Sequence, residues 1–195
     1  VIEACRAYPS KFGTVYGGWH GIEGVLQEEL INLSDQPQKE IDLLATTPAA
    51  GAIGTCRYKL KEEQEEDFER VIEVFKAHDI GYFFYIGGND SADTCRIVNQ
   101  EADKAGYEMR VIHIPKTIDN DLKVTDHCPG YGSAAKFVAQ AFAGVNLDNR
   151  AIPGVYIGVV MGRHAGFLTA AASLAKMYPD DGPHLIYIPE RPLTK

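Results

Sequence analysis

Apolar residues return at helical spacing most clearly over residues 61–79, where Phe68, Val71, Ile72 and Phe75 share one face and the glutamates fall largely elsewhere. The pattern predicts an amphipathic helix whose acidic side is solvated. Beyond Gly81 the run Tyr82-Phe83-Phe84-Tyr85-Ile86 is continuously apolar, as a strand buried on both faces requires. A loop, Gly87-Gly88-Asn89-Asp90-Ser91, leads into residues 91–105, where Ala92, Cys95, Val98 and Ala102 recur at helical spacing and Gly106 offers a C-cap. Residues 109–114 then form a second β-type run. Strand, helix and strand make a βαβ unit with a right-handed crossover, so the two strands run parallel and their following loops leave the same sheet edge.

The remaining segments are shorter. Residues 12–16 predict a strand ending in Tyr16-Gly17-Gly18-Trp19-His20-Gly21, where glycine allows a sharp turn or close approach to a ligand. Residues 24–33 and 39–44 read as helices separated by Asp35-Gln36-Pro37. Residues 49–57 form a small-residue loop carrying one cation, Arg57, suited to an anion. Pro129-Gly130-Tyr131-Gly132 marks a boundary, dividing a first α/β domain, 1–130, from the start of a second, 131–195. Across that boundary the pattern restarts: a helix over 133–145, a strand over 155–160, a loop Met161-Gly162-Arg163-His164-Ala165-Gly166, a helix over 167–177, and a strand over 185–188 before Pro189-Glu190. This second βαβ is expected to bring Arg163 and Glu190 to one sheet edge. The opening Val1-Ile2-Glu3-Ala4-Cys5-Arg6-Ala7 reads as the later turns of a helix, and the chain as a fragment.

Composition narrows the function. With 45% hydrophobic residues the 195-residue chain can bury a core, while 27 acidic against 19 basic residues disfavour nucleic acid or a membrane surface as partner. An anionic ligand must therefore be held by a few placed cations. Cys5, Cys56, Cys95 and Cys128 are 51, 39 and 33 residues apart, without the pairing of a zinc site, which suits reduced thiols in a cytoplasmic protein. No apolar run has the length of a membrane-spanning helix.

The chemistry concentrates in Ile114-Pro115-Lys116-Thr117-Ile118-Asp119-Asn120-Asp121, which puts a lysine and two carboxylates within six residues at the end of a predicted strand. Open α/β sheets bind ligands there. With the Gly87–Ser91 loop on the same edge, Asn89, Asp90, Lys116, Asp119 and Asp121 are expected to cluster. His164 reads as structural, and no G-x-G-x-x-G opens a helix, which disfavours a dinucleotide site.

Taken together, these six motifs resemble the phosphofructokinase family, in its order and with family-like spacing over essentially the whole chain. The resemblance implies an α/β fold of three-layer, Rossmann-like parallel sheets with helices on both faces, the second domain being incomplete. It implies Mg²⁺-dependent phosphoryl transfer to the 1-hydroxyl of fructose 6-phosphate, a glycolytic step giving fructose 1,6-bisphosphate. In it Asp119 is the general base, Lys116 and Arg163 stabilise the transferring phosphoryl group, and Asp121 orients Arg163 or a magnesium-bound water. Thr117, Ile118, Asp119, Met161, Gly162, Arg163 and Glu190 would hold the sugar. Tyr16, Arg57, Gly88, Asn89, Asp90 and Ser91 would line the phosphate donor, with Asn89 at a position where many relatives carry an aspartate magnesium ligand.

Members using ATP usually carry glycine where this chain has Asp90 and Lys116, whereas members using pyrophosphate carry Asp and Lys; the resemblance therefore implies pyrophosphate as donor. An ATP-dependent enzyme and a non-catalytic regulatory subunit are the alternatives. The position from which bacterial ATP enzymes reach a neighbouring subunit is Gly154, with Arg150 the nearest substitute. The resemblance also implies a homo-oligomer, and expects no turnover from this piece alone.

Overall fold

The structure is a computed structural model that describes residues 1–47, 49–61 and 63–191, leaving aside the side chains of Ala49 and Asn89. In chain order the elements are α1 (Ile2–Ala7), β1 (Tyr16–Gly18), α2 (Ile22–Leu26), β2 (Leu30–Asn32), α3 (Gln38–Leu43), α4 (Ala49–Ile53), α5 (Glu65–Ala77), β3 (Tyr82–Gly87), α6 (Asn89–Lys104), β4 (Arg110–Pro115), α7 (Tyr131–Ala151) and α8 (Phe167–Ala171), followed by a 3₁₀ turn, Ala172–Ala175. They divide between two compact units, residues 1–85 with 90–113, and residues 86–89 with 114–195.

The first unit is built on the amphipathic helix. Phe68, Val71, Ile72, Val74 and Phe75 of α5 are buried with Ile22 and Val25 of α2, Ile97, Val98 and Ala102 of α6, Leu60 and Met109. Burying a large side chain of this kind is worth about 1.5–3 kcal/mol, so the α5 stripe alone outweighs any surface ion pair in the unit. Gly106 adopts φ +62° just past α6, as a C-capping glycine should. Tyr107 then donates its hydroxyl to Ile80 O at 2.8 Å and to Phe75 O at 3.1 Å, tying the end of α5 to the approach to β4.

β3 and β4 pair. Bonds from Arg110 N–H to Gly81 O at 2.8 Å and from Lys116 N–H to Gly87 O at 2.9 Å keep one offset, so the strands run parallel, as the βαβ reading requires. The expectation of burial on both faces fails: Tyr82 and Ile86 remain 46% and 53% exposed. β-rich composition promotes a pleated strand, but covering layers decide its burial.

Other differences have the same origin. Residues 24–33 do not form one helix; α2 stops at Leu26, and Leu30–Asn32 becomes β2, antiparallel to β1 with Tyr16 opposite Asn32. Residues 12–15 stay outside β1 because the partner strand is only three residues long. The small-residue stretch expected as loop contains α4.

In the second unit α7 runs to Ala151, beyond the expected 145, and packs on α8 and the 3₁₀ turn, where Ala165, Leu168, Ala171, Ala172 and Ala175 are buried. The expected strands over 155–160 and 185–188 carry no ladder among the described residues, so the second βαβ is not formed as read. Val155, Ile157, Val159 and Leu185 are correspondingly exposed. Asp181, buried at 4% exposure, fastens the segment after the 3₁₀ turn: it accepts from Tyr178 N–H at 2.9 Å, Met177 N–H at 3.1 Å and Asn146 Nδ2 at 2.9 Å. Among the described residues no helix is long and apolar enough to cross a membrane.

Candidate active site

The loop after β4 is held by its own polar side chains. Thr117 Oγ1 accepts the Asp119 N–H at 3.2 Å and donates to Asp121 Oδ1 at 3.2 Å, while Thr117 bridges Gly130 in parallel. Between them Asn120 is 7% exposed and takes φ +57°, a left-handed conformation that asparagine tolerates better than most residues. Its Oδ1 accepts from Cys128 N–H at 2.8 Å and its Nδ2 donates to Asp126 O at 3.2 Å, closing residues 120–128 into a fixed loop. Asn120 is not among the site residues expected from sequence; the signal for it is the left-handed preference of Asn within Asp-Asn-Asp.

One atom in this loop lacks a partner. Asp119 Oδ1 is buried and receives no hydrogen bond among the described residues. An unmet buried carboxylate oxygen costs roughly 1–3 kcal/mol or more, a sum that proteins usually avoid outside functional sites. It is a strong acceptor that the described residues leave without a donor. Lys116 stands exposed beside it in sequence, and a Cβ on Gly88 would come within 3.8 Å of Lys116 O, so the structure brings the Gly87-Gly88 turn and the Lys116 backbone together.

Further along the same unit, Gly162 takes φ +116°, and a Cβ there would meet Ala165 O at 2.2 Å, so the Met161–Gly166 turn tolerates only glycine at that position. Glu190 Oε1 accepts the Gly166 N–H at 2.7 Å. The carboxylate proposed for the sugar therefore fastens this turn, while Met161 and Arg163 are exposed. A pocket of about 450 Å³ lies alongside, lined by Gly158, Gly162, Thr169, Tyr187, Ile188 and Arg191 among others. Edge-on ring contacts run from His127 to Tyr131 at 5.2 Å and from Tyr131 to Phe167 at 6.1 Å, linking the Asp119 loop to the start of α8.

The first unit gathers the other candidates. His20 N–H bonds Ile53 O at 2.8 Å, and a Cβ on Gly54, at φ +78°, would meet His20 Nδ1 at 2.3 Å, so the Tyr16–Gly21 turn packs on the loop leading to Arg57. The Tyr16 ring meets the His78 ring at 5.5 Å, and His78 Nε2 lies 3.1 Å from Glu28 Oε1.

Residues 55–61 alternate outward and inward. Cys56, Tyr58 and Leu60 pack on the core, and Arg57, Lys59 and Lys61 face outward. Tyr58 is anchored by hydrogen bonds of its hydroxyl to Asp67 and Gln64. Lys59 Nζ lies 2.5 Å from Asp90 Oδ2. Lys59 was not among the expected site residues, although the two-residue alternation of apolar and cationic positions over 56–61 was there to be read.

Of the residues expected to cluster, contacts are described within three groups: Gly87 and Gly88 with Lys116, Thr117 with Asp119 and Asp121, and Asp90 with Lys59. Ile118 is exposed in the loop after β4, whereas Ser91, expected in a loop, is half-buried in the first turn of α6, because the helix begins at residue 89; the Asn89 side chain lies outside the described residues. Arg150 is engaged with Asp180 at 2.5 Å and Asp181 at 3.4 Å. Among the described residues no group of three or more His, Cys, Asp or Glu side chains is poised around a metal position, and the four cysteines are unpaired.

The chain is similar to known proteins over most of its length. The phosphofructokinase family model matches residues 1–195. A pyrophosphate--fructose 6-phosphate 1-phosphotransferase of Rhodospirillum rubrum is 62% identical over 179 residues, covering 91% of this chain and 43% of that protein. One of Halomonas elongata is 50% identical over 196 residues, covering 97% and 46%. The crystal structure of a pyrophosphate-dependent phosphofructokinase from Marinobacter aquaeolei superposes with a TM-score of 0.86 at 47% identity, over 100% of this chain and 49% of that one. The chain therefore spans about half the length of the relatives it matches, and its α/β fold is theirs.

Proposed function

Because this chain belongs to the phosphofructokinase family, we propose that the protein transfers a phosphoryl group from pyrophosphate to the 1-hydroxyl of fructose 6-phosphate, giving fructose 1,6-bisphosphate. The observation that carries the reading is the buried, unpartnered Oδ1 of Asp119. A general base must offer an acceptor within hydrogen-bond reach of the proton it takes. Thr117 and Asn120 hold the Asp119 backbone in place, so the oxygen is pre-positioned and little ordering remains to be done on binding. Lys116 and Arg163 would oppose charge on the transferring oxygens, where phosphoryl transfer gains most of its catalysis. Met161, Gly162, Thr117 and Ile118 would contact the sugar, with Glu190 shaping the Gly166 turn.

For the donor, support comes from Asp90 and Lys116 and from the names of the relatives at 62% and 50% identity. The Asp90 side chain would fill the space that the α-phosphate of a nucleotide needs, a repulsive element directed against the longer donor. Pyrophosphate has no third phosphate to meet it.

Magnesium would arrive with the donor: Mg²⁺ commonly binds through one or two carboxylates plus substrate phosphates and keeps several waters, and Asp121 and the sequence candidate Asn89 would be its hard-oxygen ligands. Bound there, the ion would neutralise phosphate charge. The division near residue 130 into donor-side and sugar-side domains, and a homo-oligomer, belong to the same proposal.

The test is product formation by the full-length protein with magnesium pyrophosphate or MgATP, in native and Asp119→Asn forms. Native activity with pyrophosphate and a kcat lower by about 10²–10⁴-fold in the variant, with fructose 6-phosphate still bound, is expected. A variant with near-native kcat would remove Asp119 from the base role, and a native enzyme using ATP alone would overturn the donor.

A further inference from the structure

We propose that Lys59 is a specificity-determining residue, the counter-ion that lets Asp90 stand in the donor site without repelling the small anionic donor; this rests on the donor reading above. Lys59 Nζ is 2.5 Å from Asp90 Oδ2. Each partner is carried on a fixed frame. Lys59 sits between Tyr58, tied to α5 through Asp67 and Gln64, and Leu60, buried in the core. Asp90 sits in the first turn of α6, whose Cys95, Val98 and Ala102 are buried, and its carbonyl accepts Thr94 Oγ1 at 3.1 Å.

Stability does not account for the pair. Its side chains are 61% and 70% exposed, and ion pairs of that kind are worth about 0–1 kcal/mol. The charge pattern accounts for it better. In a chain of net charge −8, Arg57, Lys59 and Lys61 project from one side of an extended segment, roughly 7 Å apart in succession. Lys59, Lys61 and Arg96 line a pocket of about 250 Å³ together with Asp90 and Asp93.

A bare carboxylate at position 90 would reject a nucleotide, but it would also oppose pyrophosphate. Paired with Lys59, it keeps its bulk and loses most of its field, so a long donor is excluded while a short polyanion is admitted. Specificity then has the repulsive and the permissive element that discrimination between related ligands requires.

The experiment uses the full-length enzyme as native, Lys59→Met, Lys59→Arg, Asp90→Asn and the Lys59→Met/Asp90→Asn double variant. KM for magnesium pyrophosphate, KM for fructose 6-phosphate and kcat are measured, with calorimetric binding of magnesium pyrophosphate. Uncovering one charge at intermediate dielectric raises KM for pyrophosphate about tenfold in Lys59→Met. KM for the sugar stays within about twofold, because uniform donor binding alone is lost. Lys59→Arg retains most of the native affinity, and adding Asp90→Asn to Lys59→Met recovers most of the loss.

Three results would overturn the inference: no change in Lys59→Met, equal rises in both KM values, or a pyrophosphate loss undiminished by Asp90→Asn, which would make Lys59 a direct donor ligand. Native enzyme inactive with pyrophosphate would overturn the donor reading itself, and is told apart because it is seen before any substitution.

Discussion

Asn120→Ala tests whether the Asp119 loop is held as described. Asn120 accepts the amide proton of Cys128, a residue with no exposed surface, at 2.8 Å and donates to the carbonyl of Asp126 at 3.2 Å from a backbone at φ +57°. Removing the side chain strands the buried Cys128 N–H, which costs roughly 1–3 kcal/mol, whereas the Asp126 carbonyl sits on an exposed residue and can turn to water. Alanine in the left-handed region adds about 1 kcal/mol that asparagine largely escapes. The sum is close to 3 kcal/mol.

Hydrogen exchange in the full-length protein is the direct assay. The Cys128 amide should exchange about 100-fold faster in Asn120→Ala, since each 1.4 kcal/mol is tenfold. Asn120→Gly loses the same hydrogen bonds without the left-handed strain, and should recover about 1 kcal/mol of the loss. Activity falls in both, because Asp119 is no longer held. Unchanged protection at Cys128, or Ala and Gly variants alike, would refute the reasoning.

Two further outcomes follow from the geometry. Gly54→Ala places a Cβ at φ +78° against His20 Nδ1, 2.3 Å away, and should lower stability by roughly 2–3 kcal/mol and weaken pyrophosphate binding through Arg57, whereas Gly144→Ala in α7, with open space around it, should be neutral or stabilising by up to about 1 kcal/mol; thermal melts and calorimetry decide, and equal effects would remove the close approach as the cause. Asp181 has its pKa lowered from 3.8, first by the Tyr178 N–H, then by Asn146, Met177 and Arg150, so its contribution is present above that value and lost as pH falls through the folded-state pKa. In melts from pH 7 to pH 2 the gap between native and Asp181→Asn protein should therefore be widest near neutrality and close in acid; a gap constant with pH would show that the charge is not involved.

Some of this protein is written locally. α5 was legible because an i, i+3, i+4, i+7 stripe of large apolar residues leaves one way to bury it, and α6 and the parallel βαβ followed from the same reasoning with Gly106 as the stop. The motifs were legible too, and the one carrying Lys116, Thr117 and Asp119 does follow a strand, β4, where chemistry needs particular residues in a short span. Family membership rests on those motifs and on the match over residues 1–195.

What sequence alone could not decide was every feature that depends on a partner distant along the chain. Leu30–Asn32 is a strand only because β1 lies beside it, and 155–160, with better strand composition, has no ladder among the described residues. Glu190 looked free for a ligand until Gly166, 24 residues away, supplied the amide that it accepts. Lys59 became a candidate only when α6 set Asp90 within 2.5 Å of it. Periodicity and motif chemistry are short-range properties and survive in a linear reading; pairing, burial and charge compensation are set by which surfaces meet in the folded chain, and tertiary structure alone decides them.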